Sequence, residues 1–117
     1  MYDFPEKTKL NQLINQRLVV ISCTANQIVF EFSNQIKLEV TGHLEHSDSS
    51  GQAQEINVPI DNLSIFGLIE CEVGNVTVMN NKKEMAISFK NGEVLKFISD
   101  EIYESVYIHI DGESIIV

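Results

Sequence analysis

The chain is short of cations, aromatic residues, proline and cysteine. Its 117 residues hold no Trp, two Pro, two Cys and 8 Lys+Arg against 17 Asp+Glu, for a formal net charge of −9. So few cations argue against nucleic-acid binding, which needs Lys and Arg clustered on one face. The one adjacent basic pair, Lys82-Lys83, follows Asn80-Asn81 and reads as a hairpin tip. Cys23 and Cys71 lack CxxC spacing and sit in strand-like apolar contexts. They are expected as reduced, buried thiols of a cytoplasmic protein, not as a disulfide framework. No run of 18 apolar residues is present, so no membrane span is expected. The opening MYDFPEKTKL has neither the basic nor the apolar region of a signal peptide.

What is present suits one folded domain over residues 1–117. The apolar fraction of 44% is enough to build a core and excludes disorder throughout. Leu10, Leu13 and Ile14 have helical spacing, which predicts a short helix over residues 5–15 with Pro5 in its first turn. The period then becomes two. RLVVISCT is a continuous apolar run, as in a strand buried on both faces. Ile28, Phe30 and Phe32 alternate with Val29 and Glu31. Leu38, Val40 and Leu44 share one face, with Glu39, Thr41, His43 and Glu45 on the other.

Ser47–Gln54 is polar, rich in Ser and without periodicity, and reads as an exposed loop. Ile56, Val58 and Ile60 suit a short strand that Pro59 confines to a sheet edge. A second short helix is expected over Asn62–Glu70. Strands return at Val73–Met79, Met85–Phe89, Leu95–Phe97 and Val106–Ile110. Asn91-Gly92 and Asp111-Gly112 are signals for mirror-image hairpin turns, whose central residues need positive φ.

The two halves repeat. A shift of 57 places Val19 and Ile21 on Val76 and Val78, Ile28, Phe30 and Phe32 on Met85, Ile87 and Phe89, and Leu38 and Val40 on Leu95 and Phe97. The pseudo-repeats span about residues 10–46 and 67–103, and a C-terminal hairpin occupies 104–117. The fold expected is mainly β: an antiparallel curved sheet or partly open barrel built from two pseudo-repeated three-strand meanders, with one or two short helices.

Chemistry-bearing residues are sparse. His43 and His46 are three apart, which on a strand puts the imidazoles on opposite faces, so no metal site is expected. His109 alternates with Val106, Ile108 and Ile110 and faces away from them. No serine lies in a nucleophile elbow and no glycines form a phosphate loop, so no catalytic residue and no cofactor is assigned. The charge, however, is unevenly placed. Residues 38–81 and 97–117 contain twelve acids and no Lys or Arg. A solvated, soluble surface is one explanation, and a negative face offered to a basic partner is the sharper expectation.

The segment Phe89-Lys90-Asn91-Gly92-Glu93-Val94-Leu95-Lys96-Phe97, then Tyr103-Glu104-Ser105 and a hairpin around Gly112, resembles an uncharacterised bacterial family with two F-x-[DN]-G-x-x-L hairpin repeats. Gln35 stands where the second repeat has Gly92, so the first turn departs from that pattern. In size, acidity and β architecture the chain is also similar to small acidic immunity proteins of bacterial toxin systems, including contact-dependent growth inhibition. That resemblance implies a cytoplasmic, non-catalytic protein that neutralises a cognate toxin domain, a basic protein and often a nuclease. The contacting residues expected from charge and repeat are Glu45 and Asp48 in one half and Asp100, Glu101 and Glu104 in the other. The alternative is a structural or ligand-binding β domain. The sequence leaves the homo-oligomeric state open.

Overall fold

Two antiparallel five-stranded sheets account for most of the chain, and the mainly β expectation holds. The computed structural model describes residues 3–5, 7–99 and 106–117. A four-residue helix α1 (Lys7–Leu10) runs into a 3-10 turn at Asn11–Leu13, and a second 3-10 turn spans Ser64–Leu68. The strands are β1 (Leu18–Cys23), β2 (Ile28–Phe32), β3 (Ile36–Val40), β4 (His43–Ser47), β5 (Ala53–Asn57), β6 (Val73–Met79), β7 (Glu84–Phe89), β8 (Val94–Ile98), β9 (Val106–Ile110) and β10 (Glu113–Ile116). Both helical segments are shorter than helical spacing alone predicts. Each has only two buried anchors, Leu10 and Leu13 in one and Ile65 and Leu68 in the other, and a single turn suffices to seat them.

One sheet has the order β1-β2-β3-β9-β10 and the other β5-β4-β8-β7-β6. Period-two patterning turns Phe30, Leu38 and Ile108 of the first sheet, and Leu44, Leu95 and Ile87 of the second, into a common core. Phe30 meets Phe97 across that core edge-to-face, with ring centroids 5.7 Å apart and planes at 90°.

The repeat is real, and its offset changes along the chain. Phe30 pairs with Leu38 as Ile87 pairs with Leu95, which keeps the 57-residue shift for the second and third strands of each half. The first strands correspond at 55: Ile21 opposes Phe30, whereas Val76, not Val78, opposes Ile87. The β6–β7 hairpin is one residue pair longer, ending at Met79–Glu84 where β1–β2 ends at Cys23–Ile28, and this absorbs the difference.

The 55-residue shift also runs through the junction between the halves. The N–H of Asn15 donates to the carbonyl of Val73 (2.8 Å), and that of Glu70 to Leu18 (2.7 Å). The N–H of Leu18 donates to Cys71 (3.0 Å), and that of Val73 to Gln16 (2.8 Å). Arg17 and Glu72 form an antiparallel bridge at the centre, each the other's equivalent. A local two-fold therefore passes between them. Asn15 and Glu70 even share a left-handed backbone, with φ of 72° and 79°.

Several sequence expectations are corrected. Leu38, Val40 and Leu44 are all buried but lie on two strands. The chain breaks at Thr41-Gly42 and passes to the other sheet, so β4 pairs with β8. Likewise β9 follows β8 in sequence and pairs with β3. Each half thus hands its closing hairpin to the other's sheet. The exposed loop expected over Ser47–Gln54 narrows to residues 48–52, because Ser47 pairs with Ala53 and closes a β-hairpin. RLVVISCT forms an edge strand, buried at Leu18 and Ile21 only, because β1 pairs on one side alone; Val20 and Cys23 are exposed. Asp111-Gly112 has the expected mirror-image turn, with φ of 55° and 75°. At Asn91-Gly92 only Gly92 is left-handed (φ 94°). The Phe89 N–H donates to Glu93 (2.8 Å) and the Gly92 N–H to Phe89 (3.0 Å), closing a three-residue turn with a glycine bulge. Asn34 and Gln35 are both left-handed, so the first-half turn does differ.

Candidate functional site

The first cation-free stretch, residues 38–81, runs from β3 to β6 and includes the β4–β5 hairpin. Glu45 sits on the outer face of β4, directly opposite Glu55 on β5, and on its other side opposite Lys96 of β8. Lys96 Nζ lies 2.8 Å from Glu45 Oε2 and 3.3 Å from Glu84 Oε1. The hydrogen bond that the Lys96 ammonium donates to Glu45 is the main influence holding it above its ordinary pKa, with Glu84 adding to it. Two carboxylates opposite one another on one face repel, and a single cation serves Glu45 and Glu84. Among the described residues no cation lies against Glu55.

Asp48 occupies the hairpin turn and is spent on its geometry. Its Oδ1 accepts from the Ser50 hydroxyl (2.6 Å) and from the N–H groups of Ser50 (2.9 Å) and Gln52 (3.0 Å). Those bonds, the Ser50 hydroxyl first, hold its carboxyl below the usual carboxylate range. Asp61 closes the far end of the hairpin, accepting from the Asn57 side chain (3.0 Å) and N–H (3.1 Å), and is lowered in the same way. Asp100, Glu101 and Glu104 lie outside the described residues. The structure thus brings Glu45 and Asp48 onto one hairpin and adds Glu55, which the sequence reading passed over. The signal for Glu55 was pairing register, which a single sequence does not fix where a turn of unknown length intervenes.

Two histidines organise polar relays that the sequence reading also passed over. His46 points inward, its side chain 5% exposed, and bonds Ser64 Oγ through Nδ1 (2.7 Å) and Glu93 Oε1 through Nε2 (2.7 Å). Glu93 is held in turn by Asn91, whose Nδ2 donates to Oε2 (2.6 Å) and whose Oδ1 accepts the Glu93 N–H (2.9 Å). The relay ties β4, the second 3-10 turn and the β7–β8 turn together. Strand parity with Leu44 was the available signal for an inward His46. His43, one face away, points outward as the spacing implied, and no group of three metal-ligating side chains occurs among the described residues.

His109 faces out of the other sheet. It bonds Ser114 Oγ through Nδ1 (2.9 Å) and Glu39 Oε2 through Nε2 (2.5 Å). Beside it a notch of about 340 Å³ opens between the β2–β3 and β9–β10 turns, lined by Asn34, Gln35, His109, Asp111, Glu113 and Ser114. Glu113 pairs with Lys9, and Asp111 accepts from the Gln12 side chain (2.5 Å). A hydroxyl, an imidazole and a carboxylate in series can pass or hold a proton. In both relays the order is the same, and in both each imidazole nitrogen is occupied.

Compared with known proteins, the chain matches no family model, no curated protein and no solved structure.

Proposed function

We propose that this is an immunity protein: a cytoplasmic, non-catalytic domain that binds and neutralises a basic toxin domain, a nuclease by preference, through its acidic surface. The observation that carries the proposal is the cross-strand pair Glu45–Glu55 on the β4–β5 hairpin. Like charges held opposite one another cost stability in the free protein, and a lysine or arginine from a partner would relieve that cost. Long-range attraction from a chain of net charge −9 would also speed the encounter with a cation-rich surface. The hairpin's other carboxylates, Asp48 and Asp61, tie its turn and its far end, which would lower the backbone ordering cost of presenting the pair.

The test is capture of a toxin whose activity the chain abolishes, followed by association rates at two salt concentrations. Glu45→Gln with Glu55→Gln should slow association and flatten its salt dependence, because exposed charges are screened over about 8–10 Å at physiological ionic strength. Asp100→Asn, Glu101→Gln and Glu104→Gln together form the second arm. Rates indifferent to both arms and to salt would remove electrostatic inhibition from consideration. The alternative, a ligand-binding β domain, is favoured only by the notch beside His109.

A further inference from the structure

Every open sheet edge offers unpaired main-chain groups to any strand that approaches, and most edges carry a device against this. Here the sheets have four edge strands, β1, β10, β5 and β6. β1 is bulged at Val19, and its Leu18 N–H is taken by Cys71. β6 is bulged at Gly74, and its Val73 bonds Asn15 and Gln16. β5 has its Asn57 N–H capped by Asp61 and presents the charge of Glu55.

β10 differs. Its register with β9 is regular from Glu113 to Ile116 and continues to Val117, which exchanges both main-chain bonds with Val106 (3.2 and 2.8 Å). Antiparallel bonding alternates, so Ser114 and Ile116 turn their N–H and C=O groups away from β9. Neither has a backbone partner there among the described residues. Ile116 is also one of the few large apolar residues left exposed, at 39%. At the start of this strand lies the notch, lined by Asn34, Gln35, Asp111 and Glu113, whose two acids are held by Gln12 and Lys9.

We propose that the edge of β10 takes an extended, basic segment of the partner protein as a sixth strand, with one lysine or arginine side chain seated in the notch. The proposal rests on the reading that the partner is a basic protein, and it names where that partner docks. Main-chain bonds to Ser114 and Ile116 supply the register. Ile116 gives an apolar neighbour to one side chain of the added strand, and the incoming cation competes with Lys9 and Gln12 for the carboxylates of Glu113 and Asp111.

The experiment titrates the 15N-labelled full chain with a ten-residue peptide alternating valine and lysine, and with one alternating valine and glutamate. The lysine peptide should slow amide exchange at Ser114 and Ile116 by about tenfold or more, as new strand bonds do, and the glutamate peptide should not. Ile116→Pro removes the outward N–H without touching a bond to β9 and should abolish the effect. Ile116→Lys keeps the strand and repels the peptide, and so reports even if the proline variant unfolds. Equal response to both peptides, no slowing at these amides, or a self-associated chain whose own β10 amides are protected would each overturn the proposal. A toxin that binds, responds to neutralising Glu45 and Glu55, and leaves the β10 amides exchanging freely would refute this docking site while leaving the immunity function standing.

Discussion

The β4–β5 and β9–β10 hairpins hold equivalent places. Each follows the third strand of one half and completes the sheet of the other. They have been finished in opposite ways. In β4–β5 the histidine is turned inward to Ser64 and Glu93, the turn is tied by Asp48 and the edge is capped by Asp61. In β9–β10 the histidine is turned outward to Ser114 and Glu39, Asp111 accepts from Gln12 of the N-terminal segment rather than from its own turn, and the edge has no side-chain cap among the described residues. One hairpin ties its turn and its edge with its own carboxylates, and the other does not. The difference teaches that internal symmetry here extends to the backbone and the apolar core, and stops at the polar side chains.

The largest expected effects test where the halves are alike. Phe32 and Phe89 are equivalent, 4% and 3% exposed. Truncating either to Ala should cost about 3–5 kcal/mol in a denaturant titration. Costs that differ by more than half of that range would break the equivalence of the cores. Next come the two histidines, where the halves should part. His46→Ala strips a partner from Ser64 and from Glu93 in a buried setting and should cost about 2–3 kcal/mol. His109→Ala, on the outer face, should cost below about 1 kcal/mol. Similar losses at both would mean the relays do the same job.

A smaller effect is expected at Lys96, the cation between Glu45 and Glu84. Lys96→Met leaves Glu45, beside Glu55, and Glu84 without their shared cation and should destabilise by about 1 kcal/mol, less at high salt. A variant as stable as the parent at low salt would show that the outer face tolerates its acids unaided. The smallest effect concerns acid. Asp48 and Asp61 have folded pKa values below the ordinary 3.8. The stability each contributes is therefore present above that value and is lost as pH falls through the folded pKa. Protection of the Ser50, Gln52 and Asn57 amides, relative to their intrinsic exchange, should begin to fall below about pH 4, the ordinary carboxylate range. The β9–β10 turn has no such bonds from Asp111 to its own backbone among the described residues and should not share the transition.

Much of this fold was legible in the sequence, for definite reasons. Period-two alternation placed Phe30, Leu38, Met85 and Ile87 correctly because one face of each strand meets the core. Asp111-Gly112 was legible because few other residues accept two left-handed positions. The exchange of hairpins was not. Val40 and Leu44 alternate as one strand would, and nothing local records that the chain changes sheet at Thr41-Gly42. The Asn91-Gly92 turn misled because the same dipeptide serves two loop lengths, and the Asn91 side chain bonds Glu93 to favour the longer one. Of the candidate site, Glu45 and Asp48 were legible as acids in a cation-free stretch. That Glu55 opposes Glu45, and that Asp48 is tied into its own turn, depends on register and loop closure.

The exchange of hairpins has a consequence for the time course of folding. β3 has β2 on one side, but its other neighbour, β9, belongs to the far end of the chain. β8 pairs with β7 and waits for nothing, since β4 precedes it in the chain. As the polypeptide emerges from the ribosome, the sheet with the order β5-β4-β8-β7-β6 has all its strands before β9 is made. The sheet containing β1, β2 and β3 keeps an open, apolar flank until the last hairpin arrives. Closing so long a loop is slow. The first-made strands are thus the last to be completed, and it is during that interval that β3, not β10, is the edge most exposed to the wrong neighbour.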